Sequence, residues 1–149
     1  MLGDLSNDEM ERLLLAAPMG RIGCHSGGRT YIVPISFAYD GRRILAHTPE
    51  GRKVEMMREN PDVCFEVDEV IDLVNWRSII AWGRFKELKD ADAAVAMGLL
   101  FERLRPLVAN TSSHGHALTP PSRAVSGASM VVFAIELTEM TGRYERQEP

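Results

Sequence analysis

Short runs rich in β-branched and aromatic residues, separated by turn residues, fill most of this chain, and three stretches with helical spacing interrupt them. Met10, Leu13, Leu14 and Ala17 recur at helical spacing behind Ser6 and Glu9, which stand in capping-box positions, so a helix is predicted over 7–17. Pro18 and Gly20 end it. A second helix is predicted over 52–60 with Val54, Met56 and Met57 turned inward. Asn60-Pro61 breaks it, because a residue before proline disfavours the helical region. The third, over 90–103, sets Ala94, Met97, Leu100, Phe101 and Leu104 on one face.

The strand-like runs are 21–24, 30–38, 43–47, 63–67, 76–88 and 130–137, the last continuing towards Tyr144. Ser26-Gly27-Gly28 marks a turn and Asp40-Gly41 a hairpin. Gly83, inside the long run, predicts a bulge at a barrel corner. Pro34 removes a ladder donor from its strand, which therefore lies at an edge, at a bulge or against a ligand. Residues 106–128, rich in Pro, Ser, Gly, Ala and His, read as a loop. About six strands joined mostly by hairpin-length links, with three helices outside, predict an α+β fold dominated by an antiparallel barrel. Closure would remove exposed edges.

A length of 149 residues suits one domain over 1–149 with a core that needs no metal or disulfide. A net charge of -4 argues against a general nucleic-acid or anionic-membrane surface, while leaving room for one small basic pocket. Cys24 and Cys64 stand far apart among apolar residues, without metal-type spacing, and read as small buried hydrophobes. No basic region followed by an apolar run opens the chain, and no apolar stretch approaches a membrane span. The expectation is a cytoplasmic protein.

The stretch with most chemistry is His47-Thr48-Pro49-Glu50-Gly51-Arg52-Lys53. A strand ends on a hydroxyl residue, a glycine loop turns the chain, and two cations open a helix. A phosphate monoester needs such charge-assisted donors, which helix-start amides complete. The same residues also read as a solvated turn with two surface cations. An imidazole such as that of His47 can either move a proton or simply hydrogen-bond. His25 makes a weaker candidate for a site, as does the pair His114 and His116, which has no acidic or cysteine companions; no metal is expected.

The order of elements around this stretch resembles the pyridoxamine 5′-phosphate oxidase-like FMN-binding split barrels, nearest the nitroimidazole-resistance (Nim-type) branch. The likeness runs from the first helix to the last strand. It is most specific from Ile32-Val33-Pro34-Ile35-Ser36-Phe37 through Cys64-Phe65-Glu66-Val67-Asp68, with Ile44-Leu45-Ala46-His47-Thr48 and Glu50-Gly51-Arg52-Lys53 similar to the family's cofactor signature. The long strand from Trp76 to Phe85 and the closing run from Ile135 to Arg143 resemble its later strands.

The resemblance implies a six-stranded antiparallel split β-barrel with peripheral helices, binding FMN at a homodimer interface. Arg52 and Lys53 would hold the phosphate, helped by His47 and Thr48. The backbone of Val33, Pro34, Ile35 and Ser36 would line the isoalloxazine. Ser78 would reach the cofactor from the partner subunit, with Trp76 and Arg77 beside it. His47 is also the catalytic candidate. The implied activity is FMN-dependent reduction of small molecules, nitroaromatics among them. Its alternatives are a non-catalytic flavin-binding or storage protein, or a haem- or deazaflavin-binding relative. The sequence lacks the arginine-rich stretch that full pyridoxamine-phosphate oxidases carry after the last strand, so vitamin-B6 oxidation is not expected.

Overall fold

Ser6 starts the first helix, α1 (Asn7–Ala16), by a reciprocal cap. Its Oγ accepts from the Glu9 N–H at 3.2 Å, and Glu9 Oε2 accepts from the Ser6 N–H at 2.9 Å. At the other end, Arg103 Nη2 donates to the Ala16 and Ala17 carbonyls at 2.8 and 3.1 Å, supplying the cation that a helix C-terminus favours. In the computed structural model, which describes residues 1–108 and 129–148, α1 lies between β1 (Leu2–Asp4) and β2 (Gly20–Ser26). Then come β3 (Arg29–Ile35), β4 (Ala38–Tyr39), β5 (Arg43–Pro49), α2 (Arg52–Glu59), β6 (Asp62–Asp72), β7 (Asn75–Glu87), α3 (Asp90–Leu104) and β8 (Met130–Glu145).

All strand pairings among the described residues are antiparallel, in the order β3-β2-β6-β7-β8-β5-β4, with β1 added against β8. The two strands at the ends of this path, β3 and β4, are chain neighbours separated only by Ser36 and Phe37. Two residues span at most about 10 Å from Ile35 to Ala38, so the ends of the sheet must come together. They do so without a ladder between them, which makes the barrel split. The fold is therefore α+β, a split antiparallel barrel with helices outside.

Inside the barrel, Phe37 meets Phe65 edge to face at 5.0 Å between centroids, among Ile22, Ile44, Val67, Ile79 and Phe133. Helices α1 and α2 add Leu13, Leu14, Val54 and Met57 to this cluster. On the other face of β5 and β8, α3 builds a second cluster in which Ala96, Met97, Leu100 and Leu104 cover Leu45, Val132 and Ala134.

Several expectations are corrected. The run 30–38 is not one strand, because the chain must cross from one sheet edge to the other at Ser36 and Phe37. Strand β1 carries no periodicity and exists through its pairing with the far end of β8. The strand count among the described residues is thus eight rather than six. On α3, Ala94 and Phe101 face solvent, and Ala96 takes the inward position, since the helix turns towards β4, β5 and β8. Strand β6 runs to Asp72, well past the predicted 67. Where the expected loop 106–128 begins, residues Arg105–Leu107 form a 3-10 turn. The rest of that loop from 109 on, with His114 and His116, lies outside the described residues. No helix among the described residues is long and apolar enough to cross a membrane.

Pro34 lies on an edge strand, and the β7–β8 register shifts between Trp82 and Gly83, as expected for both. A Cβ at Gly83 would sit 2.4 Å from the Glu136 carbonyl oxygen, whereas one at Gly98 on α3 would meet nothing within 4 Å. Gly83→Ala should therefore cost about 1–3 kcal/mol through overpacking. Gly98→Ala should stabilise by up to about 1 kcal/mol through helix propensity. Urea unfolding of the two variants measures both, and similar midpoints would refute the close approach at the bulge.

Candidate functional site

Strand β5 delivers the chain to the start of α2, where the first-turn amides have no intrahelical acceptor. Gly51 is the N-cap, and its carbonyl accepts from the Glu55 N–H at 3.1 Å. Among the described residues no side chain caps this end, so the amides of the first turn stay open beside two cations. The Arg52 guanidinium lies 6.0 Å from the centroid of the Tyr31 ring on β3. Lys53 is half-buried, and burial pulls its ammonium below the usual lysine range, with nearby Cys24 opposing that pull.

Neither cation has a carboxylate partner among the described residues, unlike their neighbour Arg58. Arg58 donates to both oxygens of Glu50 at 2.9 and 2.8 Å and also bonds Glu87. The helix thus spends its last-turn cation on structure and leaves its two first-turn cations open. Positive helix end, planar guanidinium and ammonium together suit an anion with several oxygens, a phosphate above all. Thiolate chemistry is not favoured alongside: burial pushes the Cys24 thiol up against the pull of Lys53, and pushes Cys64 up as well.

The other sequence candidates separate. Successive strand residues point to opposite faces, so Thr48 shares the interior face of Ile44 and Ala46, while His47 shares the α3-facing side of Leu45. Both are buried, and His47 pairs with Val132 of the α3 cluster. On β3, Val33 and Ile35 turn inward and Pro34 outward. Because β3 is an edge, alternate backbone groups along it point away from the sheet. Ser36 belongs to the link between the sheet ends.

Trp76, Arg77 and Ser78 lie at the far end of β7. The Trp76 indole donates to Glu145 at 3.1 Å, Arg77 pairs with Glu69 at 3.0 Å, and Ser78 stands between Asp68 and Arg143. Along β8, the register partner of Thr48 is Val131 and that of Ser78 is Arg143. Those twelve positions make a contour of about 40 Å. Ser78 thus stands well along β8 from the strand end that leads into the cradle.

The family model for pyridoxamine 5′-phosphate oxidase matches residues 6–144, which is nearly all of the chain. The chain belongs to the pyridoxamine 5′-phosphate oxidase family. Within reach of this family is an uncharacterized protein of Rhizobium meliloti, 31% identical over 140 residues that make up 93% of this chain and 92% of that protein. A FAD-binding protein of Mesorhizobium loti superposes with a TM-score of 0.74 at 27% identity, covering 99% of this chain and 98% of the other. A candidate 5-nitroimidazole antibiotic resistance protein of Bacteroides thetaiotaomicron shares the fold at a TM-score of 0.72 and 19% identity, over 97% and 87% of the two chains.

Tyr31 is the site residue that reading the sequence missed. Its place beside Arg52 needs the β2–β3 hairpin and α2 to meet, and no spacing along the chain announces that. The environment of Lys53 has a testable consequence. Its folded pKa lies below the unfolded one, so the cost of burying the ammonium is fully present at neutral pH and is released as pH rises through the lysine range. Lys53→Met should raise the melting temperature of the ligand-free protein at pH 7, with the gain closing towards pH 11. A variant less stable than the parent at pH 7 would contradict this.

Proposed function

We propose that this chain is an FMN-dependent oxidoreductase that holds its cofactor at a homodimer interface, with the flavin phosphate on Arg52, Lys53 and the open amides of α2. The first turn of α2, which among the described residues has no side-chain cap and no carboxylate on its two cations, carries the reading. Family membership and the FAD-binding protein of Mesorhizobium loti support a flavin. Charge favours FMN over FAD. A terminal phosphate monoester carries about -1.5 to -2 at neutral pH, which two cations and a helix end match, while each phosphate of a dinucleotide bridge carries a single charge.

When bound, FMN supplies hydride and electron chemistry, and the protein supplies binding, orientation and electrostatics. Thr48 ends the strand that leads into the cradle. The edge of β3 from Val33 to Ile35, with Ser36 of the link, offers backbone groups to the ring, and Pro34, lacking an N–H, leaves part of that edge apolar. Ser78, with Trp76 and Arg77, serves the cofactor of a second copy, a role that its distance along β8 from Thr48 supports. His47 is the proposed proton carrier, since it lies on the face of β5 opposite Thr48 and away from the phosphate. Small molecules, nitroaromatics first, are the substrates to assay.

The deciding experiment is the visible spectrum of the purified protein with the mass of the ligand released on denaturation, followed by stopped-flow reduction with NADH and NADPH. Arg52→Ala and Lys53→Ala should each weaken FMN about 10- to 150-fold, the equivalent of about 1.5–3 kcal/mol for a charge-assisted contact. Riboflavin, which has no phosphate, should bind both variants like the parent. Unchanged FMN affinity in both would remove the cradle, and release of FAD or haem would replace the cofactor.

His47→Ala separates two roles. A proton carrier predicts retained flavin and turnover lower by about 10²- to 10⁴-fold. A binding role predicts lower affinity and full recovery of rate at saturating FMN, and that recovery would end the catalytic assignment.

A further inference from the structure

Arg52 is the first residue of α2 and is exposed, and among the described residues no carboxylate holds it. A long side chain in that position samples many rotamers, and a ligand that needs its planar fork loses affinity in ordering it. The one group that faces the guanidinium is the Tyr31 ring, 6.0 Å away at its centroid, within reach of a cation–π contact. A ring and a carboxylate hold an arginine differently. A carboxylate takes up N–H donors, as Glu50 does from two nitrogens of Arg58. A ring attracts the flat face of the guanidinium and leaves the donors around its rim open.

The ring is itself held in place. Tyr31 is half-buried on β3 and packs against the interior cluster. Its cross-strand partner on β2 is Cys24, which lies near Lys53. One antiparallel pair of the β2–β3 hairpin thus backs the two successive cations of α2. The hairpin is tight, with Gly27 and Gly28 both at positive φ in its turn. It is also tied to the other end of α2. Asn60 Nδ2 donates to the His25 carbonyl at 2.8 Å, and the Ser26 hydroxyl donates to Glu59. Neither tie involves Arg52, so the ring keeps its place whether or not the guanidinium lies against it.

We propose that Tyr31 is a positioning residue for the phosphate: its ring holds the Arg52 guanidinium in place before the ligand arrives and leaves the donors of that group free. The inference rests on the phosphate cradle proposed above and adds to it a residue that acts through Arg52. Ordering done in the free protein is not charged against binding. For an exposed cation–π contact the gain corresponds to about 2- to 5-fold in affinity.

Parallel titrations of the full chain with FMN and with riboflavin test this. Tyr31→Leu should weaken FMN about 2- to 5-fold and leave riboflavin binding as in the parent. Tyr31→Phe should restore the FMN affinity, because the ring and not the hydroxyl does the holding. In an Arg52→Ala background, Tyr31→Leu should have no further effect on FMN. Unchanged FMN affinity in Tyr31→Leu, an equal loss in both backgrounds, or a Tyr31→Phe as weak as Tyr31→Leu overturns the positioning role and leaves the cradle standing. A matching fall in riboflavin affinity marks a structural role and overturns it as well. An Arg52→Ala variant that binds FMN like the parent overturns the cradle and the positioning role together. The parent protein gives a reading that needs no variant to fold: without ligand, ring currents should move the Arg52 side-chain proton resonances upfield, and random-coil positions would overturn the contact.

Discussion

Two residues between β3 and β4 impose the shape of this protein. The strands at the two ends of the sheet are tied by Ser36 and Phe37, so the sheet cannot lie flat, and its inner side chains must fill a closed space. Phe37 belongs to both halves of that arrangement: its backbone makes the crossing, and its ring meets Phe65 edge to face in the interior. Filling is tight enough that a Cβ at Gly20 would fall 2.2 Å from the Phe65 ring. The seam also leaves β3 as a free edge alongside the hairpin that carries Tyr31, and so determines which backbone groups remain available for a ligand.

How much of this was legible in the sequence depends on the range of the interaction. Local signals were read correctly: the Ser6 and Glu9 cap, the breaks at Asn60 and Pro61, the bulge at Gly83, and the two cations at the start of α2. Signals that depend on distant partners were not. Strand β1 has no pattern of its own, and the break at Ser36 and Phe37 sits inside a run of good strand formers. The inward face of α3 was misread by a fraction of a turn, because the helix is apolar nearly all round and only its neighbours decide which side is buried. At the candidate site, the sequence placed Arg52 and Lys53 at a helix start, where they are found, but grouped His47 with Thr48. Period-two alternation sends those two side chains to opposite sides of β5.

The distribution of charge separates structure from recognition. Arg21, Arg43, Arg58, Arg77, Arg84, Arg143 and Arg146 are each paired with carboxylates, mostly between elements distant in sequence. Exposed pairs of this kind contribute little stability individually. Their effect is to neutralise cations that would otherwise compete for an anion, which leaves the start of α2 as a place where positive charge, open amides and partial burial coincide. Partial burial of Lys53 lowers stability locally and strengthens the field that an arriving anion would meet.

Pro34 has a consequence for the protein in a crowded solution. An edge strand as long as β3, seven residues from Arg29 to Ile35, is a template on which a foreign strand could add. A proline near its end removes one donor from that template and fixes the local backbone, so an added strand would find its ladder interrupted just where the edge approaches the seam. The split that gives this barrel an open edge is thereby kept from becoming a site of chain-to-chain polymerisation, by a residue whose cost to the native ladder is small because no strand of the described residues lies on its other side.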